Sequence, residues 1–156
     1  MKQRVYIDTS VIGGCFDKEF EEWSIQLFED FKSGKRIAVI SDITLDELSD
    51  APQRVRDNFS TIPEIFLEVI ISDHESEKLA DLYVKEGAVS RKFYEDALHI
   101  AISTTNQVSV LASWNFKHIV NLDKIRLYNA VNLKNGFSFL EIRTPREILK
   151  FEEDEE

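Results

Sequence analysis

A three-layer α/β domain, with a mostly parallel five-stranded sheet covered by helices on both faces, is predicted by three observations. Five short apolar runs are separated by segments whose apolar residues recur at helical spacing. The runs are apolar along almost their whole length, the pattern of strands buried on both faces. The segments between them carry helix caps and are long enough to return the chain to the same end of the sheet.

Val5 and Ile7 alternate with polar neighbours and lead into Asp8, a short buried strand ending on a carboxylate. Phe20, Trp23, Leu27, Phe28 and Phe31 follow at helical spacing, and Gly34 is a stop. This first helix carries more aromatic surface than one buried face requires, which suits either core or a contact with a second copy or a partner. A second strand covers Arg36 to Ser41, and Asp42 is expected to cap a helix presenting Leu45 and Leu48. Pro52 breaks it, and a helical stretch resumes through Val55 and Phe59. The third strand is Phe66 to Ile71, followed by a capping box, Ser72 to Glu75, and a helix through Leu79, Leu82 and Tyr83 to Gly87. A helix from about Arg91 to Thr105 leads to the fourth strand, Val108 to Ala112. A short helix over Phe116 to Val120, a last strand over Phe137 to Ile142, and a helix opened by a second capping box, Thr144 to Glu147, complete the order.

The chain has 156 residues, 43% of them hydrophobic and 11 of them Phe, enough to bury one core. One domain over residues 1–150 is expected, with 151–156 as an acidic, solvated and disordered tail. No apolar run approaches the roughly 20 residues of a membrane span, and the opening residues, Met1 to Arg4 followed at once by the first strand, are expected to carry no secretory signal. The single Cys15, read as a small packed residue, fits a reducing compartment, so a cytoplasmic protein is expected. A net charge of −10 argues against binding nucleic acid through a broad basic face. Five of the acids lie in the last six residues, however, which leaves the remainder at −5. Acids gathered around a cation would be neutralised further.

In an open parallel sheet, ligands bind beyond the carboxyl ends of the strands. Asp8, Thr9 and Ser10 follow the first strand, Glu47 lies in the helix after the second, and Ser113, Trp114 and Asn115 follow the fourth. Asp96 lies in the preceding helix, one position from an apolar stripe of Phe93, Ala97, Ile100 and Ala101. A carboxylate beside a buried stripe is costly unless a cation or donors meet it. No Arg or Lys adjoins Asp8 or Asp96, so a hard divalent ion with oxygen ligands is one reading. Turn or cap positions for the same two acids are the other, and spacing leaves both open. A haloacid-type phosphatase requires a second Asp where Ser10 stands, and Gly13-Gly14 lacks the spacing of a dinucleotide loop. His74, His99 and His118 show no metal-ligand spacing, and His99 reads as a helix-surface or satisfied partner.

Three stretches, Val5 to Ile12, Thr44 to Leu48 and Tyr94 to Ala101, together resemble the successive motifs of PIN domains, in their bacterial VapC-like branch. Leu111 to Ile119 resembles that branch's fourth motif, and Leu140 to Pro145 its close. The resemblance implies a five-stranded parallel sheet and a Mg²⁺- or Mn²⁺-dependent endoribonuclease, the toxin of a toxin–antitoxin pair. It carries metal-ligand roles to Asp8, Glu47 and Asp96, and gives Thr9 or Ser10 the task of orienting Asp8 or water. Many PIN domains have another Asp where this chain has Asn115, whose amide oxygen brings no charge. A single ion is therefore expected, with Asn115 beside the three acids. Thr9, Ser10, Ser113, Arg91, Lys92 and Lys117 are the candidates for substrate contact, with Lys35, Arg36, Arg54 and Arg56 as further basic candidates for RNA. RNA as substrate, a small antitoxin and a homodimer are the expected partners. A weakly active PIN-type binding or scaffold domain, or another metal-dependent phosphoesterase, is the alternative.

Overall fold

The computed structural model describes residues 2–155, with side chains through residue 150. Its strands are β1 (Arg4–Ile7), β2 (Ile37–Ser41), β3 (Leu67–Ile70), β4 (Val110–Ala112) and β5 (Ile142–Arg143). They form one sheet in the order β3-β2-β1-β4-β5, each neighbouring pair parallel. The helices are α1 (Thr9–Gly14), α2 (Glu21–Ser33), α3 (Asp42–Ser49), α4 (Gln53–Phe59), α5 (His74–Lys85), α6 (Tyr94–Thr105), α7 (Leu122–Lys134) and α8 (Pro145–Glu155).

Alternation along the strands divides the core in two. Tyr6, Val39, Leu111 and Ile142 face α5, α6 and α7, with Leu79, Tyr83, Ile100, Ala101 and Tyr128. Val5, Ile7, Ala38, Ile40, Val110 and Ala112 face α1, α2, α3, α4 and α8, with Ile12, Leu27, Phe28, Phe31, Leu48 and Ile148. The register sets Tyr6 beside both Val39 and Leu111, so the same face of three strands aligns. This is the predicted three-layer arrangement.

Helix ends follow local chemistry. Gly34, at φ 79°, ends α2, and the Phe66 ring lies 2.4 Å from where a Cβ would stand. The cap of α3 is Ser41 in a capping box with Thr44, one residue before the expected Asp42. The Asp42 carboxylate instead accepts from the backbone N and the hydroxyl of Ser72, at 2.8 and 2.6 Å, tying the ends of β2 and β3 together. The box opening α5 is Asp73 with Ser76, one residue later than expected. Thr144 and Glu147 form theirs where expected. The expected tail at 151–156 has no described side chains, and Glu156 lies outside the described residues; the α8 backbone is helical to Glu155.

Three expectations are corrected. Residues 116–120 form turns, held by donation from Ile119 N and Val120 N to the Asn115 carbonyl. A 13-residue helix, α7, follows where none was expected. It buries Asn129 and Asn132 while Leu122 and Leu133 stand 64% and 60% exposed, so its apolar periodicity points the wrong way. The last strand shrinks to two residues because Asn129 captures Leu140: Leu140 N donates to Asn129 Oδ1 at 2.8 Å, and Asn129 Nδ2 donates to the Leu140 carbonyl at 3.1 Å. The aromatic surplus of α2 is used within the chain. Phe28 and Phe31 are core, Phe20 (the α2 N-cap) stacks on Trp114 with centroids 4.3 Å apart, and Trp23 lies under Arg146 and Lys150. Among the described residues no helix is long and apolar enough to cross a membrane.

Candidate active site

Strand order reverses between β1 and β4, which leaves a crevice at their carboxyl ends. Asp8 stands there as the cap of α1, 5% exposed. Ser10 Oγ donates to Asp8 Oδ1 at 2.5 Å, Ser113 Oγ to Oδ2 at 2.6 Å, and Val11 N to Oδ1 at 3.3 Å. Burial pushes the Asp8 carboxyl above its ordinary range, against the opposing pull of His99 and the two hydroxyls.

Glu47, on α3, reaches the same crevice with both oxygens engaged. Thr9 Oγ1 donates to Oε2 at 2.5 Å, and the His99 Nε2–H donates to Oε1 at 2.5 Å. Burial raises the Glu47 pKa, but His99 and Thr9 outweigh it and hold the carboxyl below its ordinary value. His99 is 1% exposed, and its Nδ1 lies 2.6 Å from the Tyr6 hydroxyl. Burial opposes the imidazolium, yet Tyr6, Glu47 and Asp8 prevail and push its pKa well above the usual value.

Asp96 lies in the first turn of α6. Among the described residues its carboxylate makes no hydrogen bond and no ion pair. Burial raises its pKa; Asp8 and Glu47 add to the rise, while His99 and His118 oppose it. The three predicted acids therefore share one electrostatic neighbourhood without an Arg or Lys among the groups that perturb them.

Hard oxygen donors with an excess of like charge are the donor set that Mg²⁺ or Mn²⁺ takes. The rotamers limit how many can serve together: among the described residues no three acidic, His or Cys side chains are grouped to hold an ion. Glu47 is held by Thr9 and His99 and Asp8 by Ser10 and Ser113, whereas Asp96 accepts no hydrogen bond among the described residues. Asp96 is thus the carboxylate most open to such an ion, while Asp8 and Glu47 would meet it with oxygens already hydrogen-bonded.

The remaining candidates divide by what they touch. Ser10 orients Asp8, whereas Thr9 holds Glu47. Ser113 is fully buried, and its hydroxyl is committed to Asp8 and to accepting from Asn115 N at 2.9 Å. Asn115 stands at the same strand end, but its amide oxygen accepts from Lys117 N and His118 N at 3.2 and 3.0 Å. Arg91 pairs with Asp81 at 2.9 Å and lies over Tyr94; Lys92 lies over Phe93, which stacks on His118. Lys117 is exposed beside Asn115. Arg36 is no surface contact: it is 2% exposed and pairs with Asp30. Arg54 lies over Phe16, and Arg56 donates to the carbonyl of Ala51. Trp114, 8% exposed, donates from its indole N to Ser24 at 2.8 Å, so it packs. Gly14 permits this, since a Cβ there would meet Ser24 Oγ at 2.6 Å.

Sequence reasoning read His99 as a helix-surface or satisfied partner; its burial corrects the first alternative, and its partners, Tyr6 and Glu47, were missed. The signal was a lone imidazole within the apolar run Ala97 to Ile102, which burial obliges to find acceptors or donors.

No protein-family model matches the chain, and no curated protein matches it in sequence. Solved structures do match. VapBC2 from Rickettsia felis, bound to a DNA fragment from their promoter, is similar with a TM-score of 0.57 at 14% identity, over 91% of this chain and 98% of that one. FitAcB from Neisseria gonorrhoeae gives 0.57 at 12% identity, over 90% and 97%. VapC20 from Mycobacterium tuberculosis, a sarcin-ricin loop cleaving toxin, gives 0.56 at 12% identity, over 73% and 92%. At these identities the likeness is one of fold.

Proposed function

We propose that this chain, with the fold of a VapC-like PIN domain, is a Mg²⁺- or Mn²⁺-dependent endoribonuclease acting as the toxin of a toxin–antitoxin pair. One observation carries the reading. Asp8, Glu47 and Asp96 lie close enough to act on one another electrostatically, and Asp8 and Asp96 are raised in pKa by burial. The groups that oppose the rise include histidines but no Arg or Lys. Such a cluster is unfavourable alone and favourable around a divalent cation.

Asp96 and Asp8 would hold the ion, with Glu47 completing the set. When bound, the ion supplies Lewis-acid polarisation of a phosphodiester and a more acidic water. The chain's own residues keep the acids in place: Ser10 and Ser113 fix Asp8, and Thr9 fixes Glu47. Lys92 and Lys117 are the candidate contacts for RNA phosphates. The antitoxin is supported by the fold-level likeness to VapBC2, and the homodimer belongs to the same proposal. A second reading, a weakly active binding domain, is favoured by Asn115, whose amide oxygen is spent on a turn.

The test is cleavage of RNA, with single-stranded DNA in parallel, by wild type and Asp96→Asn in Mg²⁺, Mn²⁺ or EDTA. The expected outcome is metal-dependent RNA cleavage that Asp96→Asn abolishes. Cleavage that survives EDTA or the substitution overturns the mechanism. Cleavage of DNA alone moves the activity to another phosphoesterase, and a folded protein inert toward both supports the binding domain.

A further inference from the structure

Resting on the metal-dependent reading above, we infer that His99 and Tyr6 are positioning residues for Glu47, links of a buried polar chain that fixes this carboxylate toward the ion. The chain starts at the end of β2, where Ser41 Oγ lies 2.7 Å from the Tyr6 hydroxyl. That hydroxyl lies 2.6 Å from His99 Nδ1, and the Nε2–H on the far side of the ring donates to Glu47 Oε1 at 2.5 Å. Thr9 then holds Oε2. Four elements, β2, β1, α6 and α3, each supply one link, and a fifth, α1, supplies Thr9.

Burial makes the chain rigid. Ser41 and Tyr6 are fully buried and His99 is 1% exposed, whereas Glu47 emerges at the crevice with its side chain 26% exposed. The Tyr6 ring meets the imidazole edge-on, centroids 5.6 Å apart, which sets the plane in which Nε2 points. A buried imidazole with both nitrogens engaged cannot turn without leaving a polar atom unpaired. Its outer nitrogen therefore presents one fixed donor to Glu47. Without it, Glu47 keeps a single tether, the Thr9 hydroxyl on Oε2, and Oε1 is no longer held. Groups that orient metal-binding side chains in this way typically set affinity by roughly 10–100-fold.

The test is Mn²⁺ binding to the full chain, by calorimetry and by the loss of free Mn²⁺ paramagnetic resonance signal, with fold checked by circular dichroism. Compared are wild type, His99→Ala, His99→Gln and Tyr6→Phe. His99→Ala is expected to weaken Mn²⁺ roughly 10–100-fold. His99→Gln, whose amide N–H reaches toward the same oxygen, should recover part of the loss, and Tyr6→Phe should weaken binding by less than His99→Ala. Wild-type affinity in folded His99→Ala overturns the inference, as does a folded His99→Gln no better than Ala. Should His99→Ala not fold, Tyr6→Phe decides, since it loses only a hydroxyl, and an unchanged affinity there overturns the chain. Wild type that binds no Mn²⁺ overturns the metal reading itself, a failure visible in the wild-type arm alone.

Discussion

Asp96 is a carboxylate that burial disfavours more than His99 and His118 relieve and that accepts no hydrogen bond among the described residues, so its effect on stability has a definite sign. Its folded pKa is raised from 3.8. The stability it contributes is therefore complete below 3.8 and is lost as pH rises through the folded value. Glu47, held below its ordinary value, has the opposite sense: its contribution is present above 4.5 and is lost as pH falls through the folded value. His99 contributes fully below 6.5 and loses its share as pH rises. Asp96→Asn leaves the Glu47 and His99 side chains in place, so the difference between variant and wild type reads Asp96 together with its coupling to its charged neighbours. In EDTA, urea unfolding should show Asp96→Asn more stable than wild type by about 0.5–2 kcal/mol at pH 7, the usual gain on relaxing a functional site. The gap should close toward pH 4. A variant less stable than wild type at neutral pH would show that Asp96 is compensated after all.

Elements are joined in this fold by polar side chains acting on backbone. Asn129 on α7 holds the N–H and carbonyl of Leu140, which is 3% exposed, and so sets where β5 begins. Asn129→Ala leaves both groups unsatisfied and should cost about 1–3 kcal/mol in chemical denaturation. A loss below a few tenths would mean that water replaces the amide. This explains why α7 and β5 were the elements read least well. Leu122 and Leu133 project outward and Asn129 and Asn132 inward, so hydrophobic periodicity carried the wrong information there. The capping boxes around Ser41 and Asp73 shifted by one residue because two adjacent residues could each cap, and hydrogen bonds to distant residues decided between them.

At the scale of the molecule, the acids come from the end of β1, from α3 and from the first turn of α6, and a cation that binds among them should stabilise the folded state alone. At a free Mn²⁺ concentration about 100 times its Kd, the gain should be roughly 2.7 kcal/mol. It should appear as a rise in the thermal midpoint of wild type and be absent in Asp96→Asn. An equal rise in both would place the ion elsewhere.

Much of this architecture was legible in the order of residues. Apolar strand runs, each leading into a helical segment, determined a parallel sheet with two covered faces. Strand-end topology and the apolar stripe singled out Asp8, Glu47 and Asp96 but left cap or turn roles open, and the motif resemblance implied the ligand set. The first two are properties of periodicity and chain direction, and both are written locally. What the tertiary structure alone decided is how each acid is held: Asp8 by Ser10 and Ser113, Glu47 by Thr9 and His99, Asp96 by no hydrogen bond among the described residues. These partners lie as far as 105 residues apart in the chain. Their pairing depends on register and on the burial of side chains from several elements at once, which no local pattern encodes.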